Sequence, residues 1–564
     1  MRPFVIRIDV MRIIIIEAIG KLKTVEYAAK QRWGKDISVL ATGGYIWTFP
    51  NNAIGIDPDT LRPNADEKTA NGRYFERALT KVIASYQNQI DEIMLMTDPD
   101  REGEGLAFQA QTMVKIYLPQ VKMTRVYAHE LNYDGLRTAT TAPDVHNGIV
   151  QAQTARRVLD RLLPLSVAHQ LHRDGEFMGL GRVQVATTRI IKDKSSQWKK
   201  HLLQGFWKTP EGNFFVREYD DDLAKLQDKL NALKTMQFSD ASLQTKKLSI
   251  PPPPPHSGQS LLAGMLSARP EKTMQAMQTA YMEGRMSYPR TDQIHLGQQA
   301  IHTVATLIQN LHLGHMLRAQ WHEQTGNPAL GPGIQGAHSA LHPTLSWNPL
   351  SGKPVELQDQ VEMEVAARAM ASLMNPAEVT RTIASIVTEN GQWFEGVKDT
   401  FENPGWTLAY ERLGLQNPLA PKPELGKKFP RLIEQLPTPA HIIEWLNDEK
   451  MGRPGTLAPI PTKMQSLNLI SAACVTTRFA DMQLKEIEKT MPHYTYAAFT
   501  RFMEKGLSLL VDEPSRYLDV VKSILIEAGS DVVSLPNAIA KAKPVALDDP
   551  EMGSDLFAPP GFEF

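Results

Sequence analysis

Two stretches near the start of the chain repeat one hydrophobic order. Arg12-Ile13-Ile14-Ile15-Ile16 is an unbroken β-branched run, the pattern of a strand buried on both faces, and Lys21 to Arg32 after it has helical composition. Asp91-Glu92-Ile93-Met94-Leu95-Met96-Thr97 gives a second such strand. The acidic loop Asp98-Pro99-Asp100-Arg101-Glu102-Gly103-Glu104 follows, then a helix from about Glu104 to Val114 with Leu106, Phe108, Ala110 and Met113 at helical spacing. Strand, loop and helix in alternation predict a parallel α/β domain over 1–145 with its chemistry at the strand carboxyl ends. Residues 146–200 turn helical, and 201–250 carry short strands and a charged stretch. Pro251–Pro255 can be neither helix nor central strand and marks a linker. Residues 256–375 are mainly helical, 376–435 strand-like, and helices follow to about 535. The first ten residues read as an extension, and Lys541–Phe564, rich in Ala, Pro and acid, as a disordered tail.

Composition narrows the class. A chain of 564 residues with 42% hydrophobic and 22% charged residues is globular rather than disordered. No apolar run approaches the ~20 residues of a membrane span, and Arg2, Arg7, Asp9 and Arg12 interrupt the N-terminus before a secretory core could form. A single cysteine, Cys474, excludes internal disulfides and zinc sites built from several thiolates, so a cytoplasmic protein is expected. The totals of 61 basic and 62 acidic residues balance, but Arg156 to Lys200 holds ten basic against four acidic residues. Such a window is either a solvated helix face or a local surface for nucleic acid.

The sharpest chemistry lies at 98–104. Asp98, Asp100 and Glu102 alternate, so in an extended loop their side chains share a direction. Converging carboxylates repel, and a divalent cation relieves the conflict; hard oxygen ligands suit Mg²⁺. The alternative is an ordinary acidic surface turn, and Glu17, at the end of the other buried strand, favours the site by bringing a fourth carboxylate beside it. In Gly284-Arg285-Met286-Ser287-Tyr288-Pro289-Arg290-Thr291-Asp292, Pro289 biases Tyr288 toward extended backbone and Arg290 can point to the same side. A tyrosine that ionises near pH ~10 is a poor nucleophile at neutrality. Arg290 or Lys21 nearby would favour the phenolate and bind a phosphate oxygen; the alternative pairs Arg290 with Asp292 over a packed tyrosine. Gly181-Arg182-Val183-Gln184 opens a helix inside the basic window, and His338 in Ala337-His338-Ser339-Ala340-Leu341-His342-Pro343-Thr344 is a possible donor to phosphate.

Taken in this order, from about Arg12 to about residue 530, the pieces resemble the type IA DNA topoisomerases. Glu17 and Lys21 resemble the opening E-x-x-x-K motif, Asp98 to Glu104 the Toprim metal loop, Gly181 to Gln184 the GRVQ motif, and Tyr288 to Asp292 the active-site tyrosine segment. His338 sits at the family's histidine, and Gly452-Arg453-Pro454-Gly455-Thr456 resembles GRPST. Ile19 stands where proline is usual and Tyr45 where Gly-His is; Ser339 and His342 replace the acid and arginine of H-E-A-I-R-P, and Gly455 replaces serine.

The resemblance implies a multidomain torus that combines α/β and mainly α parts. A Rossmann-like Toprim sheet domain (1–145) would join a helical DNA-binding domain (146–200 and 436–540), a strand-rich hinge (201–255 and 376–435) and the tyrosine domain (256–375). It implies Mg²⁺-dependent, ATP-independent cleavage of single-stranded DNA through a 5′-phosphotyrosine at Tyr288, then strand passage and religation, relaxing negative supercoils or decatenating DNA. Glu17, Lys21 and Arg290 would assist Tyr288, and Asp98, Asp100 and Glu102 would hold Mg²⁺. Arg101, Arg182, Gln184, His338, Arg453 and Thr456 would contact DNA. The expected partner is single-stranded or negatively supercoiled DNA, with no membrane. The chain would act as a nucleoid-associated monomer, and its acidic-aromatic tail could meet a single-strand-binding or replication protein. A Toprim nuclease or primase would share the carboxylates without needing Tyr288, and a silent binding scaffold would give no adduct.

Overall fold

Four consecutive isoleucines need apolar cover on both faces, and β1 (Met11–Ile16) has it. Ile14 and Ile16 pack on Val25, Ala28 and Ala29 of α1 (Leu22–Trp33); Ile13 and Ile15 pack on Phe75 and Leu79 of α2 (Ala70–Tyr86) and on Ala107 and Ala110 of α3 (Arg101–Tyr117). Between these helices run β2 (Ile37–Ala41), a small ribbon of β3 (Trp47–Thr48) and β4 (Glu67–Lys68), and β5 (Ile90–Leu95). After α3 come β6 (Lys122–Tyr127), α4 (Tyr133–Thr138) and β7 (Thr140–Ala142). The sheet order is β2-β1-β5-β6-β7, parallel except for β7. Because β1 and β5 are parallel neighbours with Ile15 opposite Leu95, the residues following each strand emerge at the same sheet edge.

The structure, a computed structural model, describes residues 11–50, 53–64, 67–86, 89–171, 180–209, 212–235, 242–266, 268–323, 339–348, 356–387, 393–419, 431–452 and 454–529. The N-terminal extension at 1–10, His338, Arg453 and the tail at 541–564 lie outside them.

Helix α3 starts at Arg101, earlier than the sequence pattern suggests, so the acidic segment is not one extended loop. Asp100 is the N-cap, its Oδ1 accepting the Gly103 N–H at 2.8 Å, which places Glu102 in the first helical turn. A Cβ at Gly103 would lie 2.0 Å from the Asp98 carbonyl oxygen, so only glycine lets the turn close this tightly.

Further along, α5 (Asn147–Leu171) and α6 (Arg182–Ser196) precede β8 (His201–Thr209), β9 (Gly212–Asp220), α7 (Leu223–Thr235) and β10 (Ser242–Ile250). The proline run then leads into α8 (Gly258–Gly264), α9 (Pro270–Met282), α10 (Gln298–Asn310) and α11 (Leu357–Leu373). Next come β11 (Ala377–Val387), β12 (Trp393–Asn403), α12 (Leu408–Arg412) and β13 (Arg431–Glu434). The chain continues through α13 (Pro439–Asp448), α14 (Pro454–Leu457), α15 (Ile460–Ser466), α16 (Arg478–Thr490), α17 (Ala497–Asp512) and α18 (Tyr517–Glu527). Strands on both sides of the α8–α11 segment join in one six-stranded sheet, β10-β11-β12-β9-β8-β13. Likewise Ala155, Leu159 and Leu162 of α5 share a core with Leu507 and Leu510 of α17 and Val521 of α18. Among the described residues no helix is long and apolar enough to cross a membrane.

Candidate active site

Tyr288 is held by three chain segments. After α9, Gly284 takes φ +74°, a left-handed turn that glycine adopts without strain, and residues 284–288 then run alongside 339–344. Ser287 N–H donates to the His342 carbonyl (3.0 Å), His342 N–H to Ser287 Oγ (3.1 Å), and Thr344 N–H to the Arg285 carbonyl (3.0 Å). Tyr288 N–H donates across to the His129 carbonyl at 3.1 Å, which joins this strand to the N-terminal sheet domain. The Tyr288 side chain is 2% exposed, stands edge-on to Tyr281 with ring centroids 5.5 Å apart, and its hydroxyl donates to Asp100 Oδ2 at 2.5 Å.

Glu17 follows β1 and Asp98 follows β5, at the edge where the parallel pairing puts them. Lys21, itself 3% exposed, pairs with Asp98 Oδ1 and stands 4.9 Å over the Tyr281 ring. Arg290 Nη1 faces Glu102 Oε2 at 3.6 Å. Its guanidinium lies against Gly455, where a Cβ would come within 2.8 Å of Arg290 Nε. Gly455 therefore closes over the cation, and a serine there would displace it.

The electrostatics correct one expectation. Arg290 and Lys21 were expected to favour the Tyr288 phenolate. Instead burial first, and then Asp100, Asp98 and Glu17, push its hydroxyl well above the usual tyrosine range, and Arg290 opposes them without prevailing. Tyr288 is therefore held as a neutral phenol. Burial likewise raises Glu17 well above an ordinary carboxyl, with Asp98 and Glu102 adding to the effect and Lys21 and Arg290 opposing it. Glu102 is raised by burial, Asp100 and Asp98 against the pull of Arg290 and Arg156.

These acids supply the hard oxygen donors that Mg²⁺ takes, and their mutual repulsion is the kind a divalent cation relieves. Among the described residues, though, no three ligand side chains are gathered around one point. Lys21 holds Asp98, while Tyr288 and the Gly103 N–H hold Asp100.

Behind the carboxylates lies a residue the sequence pattern did not flag. Arg125, fully buried on β6, donates to Glu104 Oε2 (2.8 Å) and to the carbonyls of Leu95 (2.9 Å), Thr97 (3.0 Å), Asp98 (3.0 Å) and Val126 (2.8 Å). Glu104 Oε1 also accepts from the His146 N–H (2.6 Å) and from Tyr127 Oη (3.2 Å). The main chain of the acidic segment is thus pinned by one guanidinium.

The basic window is not a solvated face at its key position. Arg182 opens α6 at 4% exposure, with Nε on Asp160 Oδ1 (3.1 Å) and Nη2 on Glu504 Oε1 (3.2 Å). Arg101 reaches the same Glu504 through Nη1 (3.0 Å). Arg182 Nη1 has no partner among the described residues. Gln184 turns back to accept the Gly181 N–H (2.9 Å) and closes the helix start. Thr456 is half-buried on α14 beside Gly455. Glu504, Asp160, Tyr281, Glu130 and Arg125 were not read from sequence. The i, i+4 spacing of Arg156 and Asp160, which do pair, was the available signal for Asp160.

A family model described as DNA topoisomerase matches residues 144–522, and a Toprim domain model matches residues 12–131. Among solved structures, full-length topoisomerase I from Thermotoga maritima is similar, with TM-score 0.65 and 18% identity, covering 91% of this chain and 89% of that chain.

Proposed function

Because the chain belongs to the type IA DNA topoisomerase family, we propose that it cleaves single-stranded DNA through Tyr288, passes a strand and religates, with Mg²⁺ and without ATP. The observation that carries this reading is the Tyr288 hydroxyl lying 2.5 Å from Asp100 in a buried cluster with Glu17, Lys21, Glu102 and Arg290. Tyr288 Oη attacks the phosphorus, the P–O bond to the 3′-oxygen breaks, and the DNA end remains as a 5′-phosphotyrosine. Asp100 accepts the hydrogen bond of the phenol and is placed to draw off its proton. Glu17, whose environment favours the protonated carboxyl, donates a proton to the departing oxygen and takes it back on religation. Arg290 and Lys21 offset charge on the transferring phosphoryl group. Asp98, Asp100 and Glu102 would hold Mg²⁺, whose charge lowers their repulsion and attracts a phosphate oxygen. Exchange of one phosphoester for another conserves the bond, so no nucleotide is consumed.

The two-segment sheet and the two-segment helical core fit a torus of four domains entered more than once by the chain, acting as a monomer. The segment 541–564 is the proposed contact for a single-strand-binding or replication protein.

Negatively supercoiled plasmid with Mg²⁺ and no ATP tests the reading. A ladder of topoisomers that disappears with EDTA is expected; nicked or linear product would instead indicate a Toprim nuclease.

One phosphate contact is assigned to Arg182, whose Nη1 is buried and has no partner among the described residues. Arg182→Ala should weaken single-stranded oligonucleotide binding about equally across sequences and lower the salt slope by ~0.7, the share of one phosphate contact. Fluorescence anisotropy at several salt concentrations measures it, and an unchanged slope would remove Arg182 from the interface.

A further inference from the structure

One buried pair joins the Toprim loop to the segment that lines the nucleophile strand. His342, 2% exposed, places Nε2 3.3 Å from Glu130 Oε1, and its Nδ1 lies 2.8 Å from the Ala340 carbonyl oxygen and 3.4 Å from Ser339 Oγ. Glu130 is 7% exposed and also accepts from Asn132 Nδ2 at 3.2 Å.

Both imidazole nitrogens therefore face acceptors. A neutral ring carries one N–H, so it can satisfy either Glu130 or Ala340 while its lone pair opposes the other; only the imidazolium donates to both. The same segment is tied to the nucleophile. His342 exchanges backbone and Oγ hydrogen bonds with Ser287, and Tyr288 N–H is held by the carbonyl of His129, the neighbour of Glu130. At this position the type IA pattern has arginine, which is charged at every physiological pH.

We propose that His342, in its imidazolium form, is a positioning residue for Tyr288. By gripping Glu130 it clamps the Toprim loop 129–132 against residues 285–288 and holds the nucleophile in line; loss of its proton loosens the clamp. The inference rests on the topoisomerase reading. Around the pair stand His129 from the same loop, Tyr281 from α9 and Tyr288 itself. Burial opposes the Glu130 charge, yet His342, with Asn132 and His129, keeps its carboxyl below the usual glutamate range.

The test is single-turnover formation of the covalent adduct on a saturating single-stranded oligonucleotide, from about pH 5.5 to about pH 8.5, the range in which histidine titrates. Wild type is compared with His342→Arg and Glu130→Gln, so that titrations common to all three proteins cancel in the rate ratios. Wild type should match His342→Arg at the acid end and fall about tenfold below it at the alkaline end, the factor for exchanging a charge-assisted for a neutral hydrogen bond. Against Glu130→Gln, wild type should be about tenfold faster in acid and equal in alkali. His129→Gln should keep the wild-type response, which separates the two histidines.

Ratios that stay flat with pH overturn the proposal. If thermal unfolding shows that His342→Arg does not fold, the Glu130→Gln ratio alone decides. Absence of any adduct in wild type at every pH would overturn the topoisomerase reading together with this inference, whereas an adduct with flat ratios overturns only the role of His342.

Discussion

Tyr288→Phe should lower covalent adduct formation by more than about a thousandfold while leaving single-strand affinity within about threefold. The substitution removes one oxygen and little else. The ring keeps its edge-on contact with Tyr281 and its place in the apolar cluster that includes Met96, Leu131 and Val126. Asp100 loses the phenol but keeps the Gly103 N–H, so the start of α3 stays capped. A lost hydrogen bond to a charged group costs about 1.5–3 kcal/mol, less than the several kcal/mol that hold a domain folded. Denaturing electrophoresis of a labelled oligonucleotide reads the adduct, and anisotropy reads binding on the same protein. An adduct that persists would place the nucleophile elsewhere. Loss of binding together with the adduct would make Tyr288 a structural residue.

What could be read from the chain beforehand divides along a physical line. Contiguous patterns carried the strands: an unbroken run of isoleucines can only be buried on both faces, and β1 is. The order of short motifs carried the family. Expectations that depended on a boundary moved. With Asp100 as N-cap, α3 begins at Arg101, so Glu102 points from a helical turn instead of alternating along a loop. The buried stripe of α3 then runs Leu106, Ala107, Ala110, Met113 and Val114, and Phe108, about 100° from the stripe position before it, is 44% exposed.

Interactions between distant segments leave no local period. Glu504 is 403 residues from Arg101 and 322 from Arg182, and His342 is 212 from Glu130. No spacing rule finds such partners; only the fold does. The neutral phenol of Tyr288 belongs to the same class, because counting nearby cations could not reveal that burial and three carboxylates outweigh them.

Arg125→Met tests whether the acidic segment owes its geometry to one buried guanidinium. The change leaves Glu104, which is 1% exposed, without its cation, and withdraws a donor from the carbonyls of Leu95, Thr97 and Asp98. Breaking a buried ion pair from one side costs about 3–5 kcal/mol, because the remaining buried charge loses its countercharge and keeps only the His146 N–H and the Tyr127 hydroxyl. Hydrogen exchange in residues 90–117 should therefore accelerate by at least about a hundredfold, and a peptide-resolved measurement locates it without requiring the whole chain to unfold as one unit. The double variant Arg125→Met/Glu104→Leu separates charge from scaffolding. Replacing both members of a buried pair by apolar groups is often close to neutral, so protection should largely return. Cleavage should not return, because the Asp98 carbonyl still lacks the donor that fixes the turn between β5 and α3. If the double variant restored both protection and cleavage, Arg125 would only neutralise Glu104, and the position of Asp98 would have to be set by Lys21 and the tight approach of Gly103 alone.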